Sequence, residues 1–431
     1  MLAEGAVLNR VEVVQVVGRA SALGLPVALL LAVAAAGCSA TTGSPSTTAS
    51  AGLTASPASA TCPAGSDPDQ PGDATQVRPA LREWYQLAAM DPTHPRIVAG
   101  ASGFEPEGAG TASLLATWAF DVCTNTWTEL VDTSWPSPEE RPALGQFVSD
   151  PGAGVVRGIP VWWTPVWTFD PATGSWSAPP AGDSGSEAWP MAVYDPDGER
   201  MLAVDPNVLT AAAARGEPGS SGVLTYDVAA KAWTDLGLAE DSSTPKVLMD
   251  SYDVAFDSAA HRLALVVTRQ DSRGEAARTG TFDPVARSWS QGADVPDTLA
   301  GGYPGSGWAA AFDPETERTL WFADTAMLGY DATDDDWVLA ERDAGWPESM
   351  TIGDVEVDPA ARIVGTMVYD PVNERLVVMA GHVRPVGDPV GGFVPENSMV
   401  TADDVWAYEP ATNTWAMLLA PSAAPASYGP G

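Results

Sequence analysis

Three histidines, three cysteines and 56 carboxylates are the side chains of this 431-residue protein that could do familiar chemistry. His94 (in PTHPR, 92–96) and His261 (in SAAHR, 258–262) each stand in a short segment ahead of an arginine. His382 opens a long segment, HVRPVGDPVGGFVPENSMVTADD (382–404), beside Arg384, and is the histidine nearest a candidate ligand site. Cys38, Cys62 and Cys123 match no metal-binding spacing. No Gly-x-Ser-x-Gly elbow stands at a strand-to-helix turn. Carboxylates crowd in DATDDDW (331–337), GDVEVDP (353–359) and TADDVW (401–406). They offer oxygen ligands of the kind calcium takes, but without the Asp-x-Asp-x-Asp-Gly loop and distal Glu of a dedicated site. In a chain of formal charge −35, solvated charge is the default reading, and no cofactor is expected. Paired carboxylates for glycoside cleavage fit the same composition, but sequence does not give their separation. Four aromatic-proline pairs begin at Trp135, Trp189, Tyr303 and Trp346. With Trp162 and Trp163 they suit either a stacking platform for sugar or wedges between packed sheets.

The elements holding these groups repeat. FDVCTNTW (120–127) returns as FDPATGSW (169–176), YDVAAKAW (226–233), FDPVARSW (282–289), YDATDDDW (330–337) and YEPATNTW (408–415). Each reads aromatic, acid, five residues, tryptophan. A second phrase alternates with the first: MDPTHPRIVAG (90–100), YDPDGERMLAV (194–204), FDSAAHRLALV (256–266), FDPETERTLWF (312–322) and YDPVNERLVVM (369–379). Arginine falls five after aspartate in all five; SDPGAGVVRGI (149–159) keeps Asp150 and Pro151 but lacks that arginine. Asp caps turn amides and Pro fixes φ, so each phrase reads as a tight turn between two strands in fixed register. Two hairpins per repeat make a four-stranded sheet, and 24 strands are too many for one open sheet. The expected fold is all-β, a six-bladed β-propeller of four-stranded antiparallel blades. The blades are placed at about 80–131, 143–181, 187–237, 250–295, 306–342 and 363–420. Trp127, Trp176, Trp233, Trp289, Trp337 and Trp415 are expected to fill the gaps between blades. Trp118, Trp167 and Trp406, two residues before the aromatic, extend that layer on the same strand face.

This pattern resembles the kelch repeat of β-propellers, as in the galactose oxidase central domain. It differs in the glycine pair that usually ends the second strand, approached only at Ala99-Gly100 and Ala380-Gly381. The copper, tyrosine, histidine and thioether set of galactose oxidase is not matched, because no cysteine is spare and no histidines converge. No Asp-box of the sialidase kind, Ser-x-Asp-x-Gly-x-Thr-Trp, occurs.

Both phrases are short turns on one face of such a ring, so the long segments at 101–115, 205–222, 269–280 and 382–404 fall on the other. Binding residues concentrate on such loops. Trp135, Trp162, Trp163, Tyr303, Trp346, His382 and Arg384 are the candidate ligand residues.

ALGLPVALLLAVAAAGCSA (22–40) follows Arg10 and Arg19 and suits the apolar part of a secretory signal. AAGC (35–38) resembles a bacterial lipobox, with Cys38 the acylated residue and 1–38 the signal peptide. Glu4 and Glu12 are unusual in such a leader and place the expected start further downstream. Residues 39–79 are expected to be a disordered tether. The Ser/Thr/Ala/Pro-rich part of about 24 residues reaches roughly 25–30 Å. Residues 423–431 are expected to be a disordered tail beyond the domain at 80–422. With Cys38 lipidated, Cys62 and Cys123 remain to pair in an oxidising compartment. That bond would bring the tether in at the short-turn face and leave the long-loop face pointing away from the membrane.

The acidic surface argues against nucleic acid. The expected protein is a monomeric lipoprotein on the outer side of a bacterial cell membrane, touching that membrane only through its lipid. It would bind a protein or glycan on the long-loop face. The alternative is an extracytoplasmic carbohydrate-active enzyme using carboxylates of that face.

Overall fold

The eight-residue phrase folds as a hairpin whose four loop residues are dictated by its acid. Asp121 Oδ1 accepts the amides of Cys123 and Thr124, both at 2.9 Å. Asp227, Asp283 and Asp331 do the same for the residues two and three ahead. The fourth loop residue must then turn left-handed, and Asn125, Gly174, Lys231, Arg287, Asp335 and Asn413 all have φ between 52° and 67°. The return strand pairs each aromatic directly opposite its tryptophan: Phe120 with Trp127, Phe169 with Trp176, Tyr226 with Trp233, Phe282 with Trp289, Tyr330 with Trp337, Tyr408 with Trp415. Ring centroids of these pairs lie 4.8–5.3 Å apart, tilted rather than stacked flat, as aromatic quadrupoles prefer.

The computed structural model describes residues 61–79, 87–104, 112–130, 144–160, 166–177, 191–205, 220–239, 254–267, 278–296, 309–323, 326–340, 347–363, 366–379, 381–386 and 400–422. The signal peptide and Cys38, expected near the N-terminus, lie outside them. The described residues form seven four-stranded antiparallel sheets and no helix. Blade 1 is β1 (Ala88–Met90), β2 (Arg96–Phe104), β3 (Ala112–Asp121) and β4 (Thr126–Leu130). Blade 2 is β5 (Leu144–Asp150), β6 (Val155–Pro160), β7 (Trp167–Asp170) and β8 (Ser175–Ser177). Blade 3 is β9 (Met191–Asp195), β10 (Arg200–Val204), β11 (Val223–Asp227) and β12 (Ala232–Asp235). Blade 4 is β13 (Val254–Asp257), β14 (Arg262–Val267), β15 (Arg278–Asp283) and β16 (Ser288–Asp294). Blade 5 is β17 (Ala309–Asp313), β18 (Arg318–Ala323), β19 (Ala326–Asp331) and β20 (Asp336–Ala340). The last blade takes β23 (Thr366–Asp370), β24 (Arg375–Met379), β27 (Val405–Glu409) and β28 (Thr414–Leu419). First strands meet in a closed cycle, β1 to β5, β9, β13, β17, β23 and back to β1, which is the plan of a β-propeller.

Burial follows that cycle. Six apolar clusters stand one at each junction, and each holds the aromatic of the later blade's phrase. Second strands face two junctions at once: Ile97 and Ala99 pack toward the last blade, and Val98 toward blade 2. Hence these strands read as unbroken apolar runs rather than alternating ones. The indoles brace backward as well. Trp176 Nε1 donates to Thr117 Oγ1 of blade 1 (2.8 Å), and Trp337 Nε1 to Thr279 Oγ1 of blade 4 (2.9 Å). Trp289 Nε1 donates to the Ser221 carbonyl of blade 3 (2.8 Å).

The second phrase adds charge to the same joints. Its aspartates are buried at the ends of the first strands, and Asp91, Asp195 and Asp370 each pair with the arginine five ahead. Arg96 also donates to the Pro171 carbonyl of the next blade, and Arg375 to that of Val122. Asp150, which lacks an arginine at that spacing, is served by Arg157, whose Nε and Nη2 reach it at 2.9 and 2.7 Å. The arginine is displaced by two residues along β6 and so keeps the same strand face. Between blades 3 and 4, His261 Nδ1 sits 2.6 Å from Asp197 Oδ2. The hydrogen bond and the negative charge of Asp197 raise the imidazole above its ordinary 6.5. A raised imidazole stabilises the fold below the unfolded-state value, and that contribution is lost as pH rises through the folded value. Both side chains are largely exposed, so the stability effect is screened and small. A proton NMR titration is therefore expected to place His261 above 6.5 and to bring it back toward 6.5 in Asp197→Asn.

The ring is sealed by a segment that carries no strand. Residues 61–79, expected as the end of the tether, lie across the seam between the last blade and blade 1. Cys62 is disulfide-bonded to Cys123, as the sequence led one to expect, with a Cα separation of 5.3 Å. Asn125 Nδ2 donates to the carbonyls of Pro68 and Gln70, and Gln76 pairs with the backbone of Asn125 and Trp127. On the other side Gly72 N donates to the Leu418 carbonyl (2.7 Å), and Arg375 reaches Asp69. Gly72 has to be glycine, because a β-carbon there would collide with the Asn125 carbonyl oxygen.

Candidate functional site

The short-turn side of the ring spends its polar groups on architecture. Its buried aspartates cap turns and hold arginines, and the acidic run at 334–336 is used in the same way. Asp335 Oδ1 accepts the Tyr330 hydroxyl and the Ala293 amide of blade 4, both at 2.7 Å, and Asp336 accepts the Trp337 amide. Burial and the adjoining Asp335 push the Tyr330 hydroxyl far up. Asp313, Glu315, Glu374 and Asp370 crowd Tyr369, whose hydroxyl burial and that negative charge also raise. Among the described residues no group of three His, Cys, Asp or Glu is placed to hold a metal ion.

The opposite side carries an element the repeat does not account for. The stretch after blade 5 contributes β21 (Met350–Ile352) and β22 (Val355–Ile363), and the connection from β24 to β27 contributes β25 (His382–Pro385) and β26 (Val400–Thr401). These pair in the order β21-β22-β25-β26 to make the seventh sheet. GDVEVDP, an acidic run in sequence, is thus mostly strand, and the long segment from His382 contains two strands. All four join the last blades at strand ends remote from the short turns, so the sheet stands on the long-connection side.

Its centre is cationic and buried. Val357, Val383, Ile352 and Ala402 form a small apolar cluster. Arg362 lies opposite Val383 in the ladder, and Arg384 lies opposite Asp358, across a bulge between Asp358 and Arg362. His382, Arg362 and Arg384 are 5, 2 and 2% exposed. Arg362 Nη2 meets Asp404 Oδ2 at 2.8 Å, and the same oxygen accepts the Trp406 indole N–H at 2.7 Å. Asp404 therefore ties the seventh sheet to the first residues of β27. Its neighbour Asp403 accepts the Ser422 amide at 2.7 Å and faces Arg78 of the seam segment at 3.5 Å. Opposite charges fixed in pairs hold this sheet to the blade and keep cations inside a strongly acidic molecule.

Of the candidate ligand residues, the structure brings His382 and Arg384 together on one strand, two apart and hence on one face. Trp135, Trp162, Trp163, Tyr303 and Trp346 lie outside the described residues. Asp358 and Arg362 join His382 and Arg384 in this sheet, and Asp404 meets Arg362 from the link between β26 and β27. The signal for the insertion was the interval from Tyr330 to Tyr408, longer than any other between successive copies of the first phrase.

No family model matches the chain, and no curated protein matches it. Among solved structures the chain is similar to one described as "Structure of YjhT", at 13% identity and TM-score 0.39, covering 79% of this chain and 99% of that one. An auxiliary nutrient binding protein from Bacteroides thetaiotaomicron matches at 10% identity and TM-score 0.40, over 69% of this chain and 66% of the other. A GH74 xyloglucanase from Xanthomonas campestris matches at 15% identity and TM-score 0.42, over 82% of this chain and 52% of the other. At these values the β-propeller fold stands on the strand topology of the chain itself.

Proposed function

We propose that this is an extracytoplasmic binding protein, a kelch-like propeller anchored through a lipid on Cys38, that recognises a protein or glycan ligand on its long-connection side. The seventh sheet carries the proposal. Two insertions flanking one strand pair of the last blade co-fold into an extra sheet on that side, and among the described residues no other blade carries one. The Cys62–Cys123 bond suits an oxidising compartment. Loops presented by a rigid ring are where recognition residues gather, and Trp135, Trp162, Trp163, Tyr303 and Trp346 supply stacking surfaces for a sugar in this reading. The enzymatic alternative calls for a free pair of carboxylates on the same side. Asp403 and Asp404 are engaged with Arg78 and Arg362, which favours binding.

The test is calorimetric titration of the mature protein with cell-envelope oligosaccharides and peptides, alongside a chromogenic glycoside panel. Binding without turnover is expected, with at least a tenfold weaker Kd in Trp162→Ala/Trp163→Ala, about 1.4 kcal/mol. Turnover abolished by removing one carboxylate would establish the enzyme instead. Loss of palmitate labelling in Cys38→Ala checks the anchor.

A further inference from the structure

We infer that the Cys62–Cys123 disulfide is a redox latch on the seventh sheet, acting through the seam segment from the opposite side of the ring. The disulfide sits in the short turn of blade 1, where Asn373 Oδ1 of the last blade's short turn lies 3.7 Å from Cys62 Sγ. The other end of the segment is at the far side. There Arg78 Nη1 donates to the Ala420 carbonyl at 2.6 Å, just past the end of β28, and faces Asp403. Arg78 is nearly buried, its side chain 6% exposed. Asp403 is adjacent in the chain to Asp404, and Asp404 holds Arg362 of β22. The segment therefore carries a line of contacts from the disulfide, through Asn125 on Pro68 and Gln70, Gly72 on Leu418 and Arg78 on Ala420, to Asp403-Asp404 and the seventh sheet.

Cys62 is the residue of the segment that packs against an apolar cluster, and the rest crosses the seam through backbone carbonyls and a few side chains, so its position depends on being fixed at both ends. The disulfide fixes the first end of the segment to blade 1, so the chain from Cys62 to the start of β1 at Ala88 is closed at both ends rather than held at one. A dithiol reductant opens the latch: its thiolate attacks Sγ of half-buried Cys62, and Cys123 leaves as a thiolate. The second thiol of the reagent then displaces Cys62 and forms the reagent's own disulfide. Two electrons and two protons end on the two cysteines. With its first end free, the segment releases Gly72 and Arg78 more often, and Asp403, beside the Asp404 that holds Arg362 of β22, keeps the Ser422 amide but loses Arg78. The inference rests on packing alone and holds whether or not the seventh sheet binds ligand.

Hydrogen exchange read by mass spectrometry on the full mature protein tests it, comparing oxidised, dithiol-reduced, Cys62→Ser/Cys123→Ser and oxidised Arg78→Ala forms. Reduction and the double serine variant are expected to speed exchange at least tenfold in residues 61–79 and in β21, β22 and β25, with blades 3 and 4 unchanged. Arg78→Ala is expected to speed the seventh sheet while the disulfide stays intact. A seventh sheet that exchanges at the oxidised rate after reduction, or in Arg78→Ala, overturns the inference. Uniform acceleration across all blades also overturns it, since the bond would then be a global stabiliser.

Discussion

Trp176→Ala is expected to cost about 3–5 kcal/mol, the range for emptying the site of a large buried aromatic. Trp176 is 4% exposed and lies 5.3 Å, centroid to centroid, from both Phe169 and Phe147. It also closes the joint to blade 1 through buried Thr117. Trp176→Phe keeps most of the volume but loses the N–H donor, so about 1 kcal/mol is expected. Half-buried Trp233 leaves a smaller hole, and Trp233→Ala should cost less than Trp176→Ala. Urea unfolding of the three variants checks the order. If Trp176→Ala unfolds within 1 kcal/mol of the parent, the indoles are not what braces the blades.

Asp404→Ala is expected to cost a similar 3–5 kcal/mol, for a different reason. It takes from the buried Arg362 guanidinium the carboxylate 2.8 Å away, and removing one partner of a buried ion pair is costly. The Trp406 indole loses its acceptor at the same time. Arg362→Met/Asp404→Leu removes both charges and should recover most of the loss, because the desolvation penalty disappears with the pair. The difference between the double variant and the sum of the single ones measures the coupling. Singles that add to the double with no coupling would mean the two side chains do not depend on each other.

The β-propeller was legible because its information is local. An acid, a left-handed position and a tryptophan at fixed spacing specify a hairpin on their own, and six repetitions leave little choice of architecture. Arg157 was not legible as the partner of Asp150, since only the register of β5 with β6 shows that a residue two places later reaches the same carboxylate. The seventh sheet escaped because β22 and β25 are separated by the whole β23–β24 hairpin, and a bulge breaks their alternation. The seam segment escaped because proline, glycine and aspartate at 63–73 have the composition of a linker, while its order comes from carbonyls that sequence patterns do not reveal. Of the candidate site, His382 and Arg384 could be singled out by their place in a long insertion. Their burial between strands depends on partners 19 to 26 residues away, Ile363 and Thr401 for His382 and Asp358 for Arg384.

The seam segment also bears on how the chain matures. Each blade is built within one stretch of chain, the last interrupted only by β25 and β26, so among the described residues no strand from one terminus completes a sheet begun at the other. Of the seam contacts, those of Cys62 with Cys123, of Asn125 with Pro68 and Gln70, and of Gln76 with Asn125 and Trp127 can form while the N-terminal third is the part available. The docking of Gly72 on Leu418 and of Arg78 on Ala420 must wait for the final fifty residues. A nascent molecule crossing a membrane N-terminus first would thus hold half of its fastening ready, covalently set, well before the arc could come full circle.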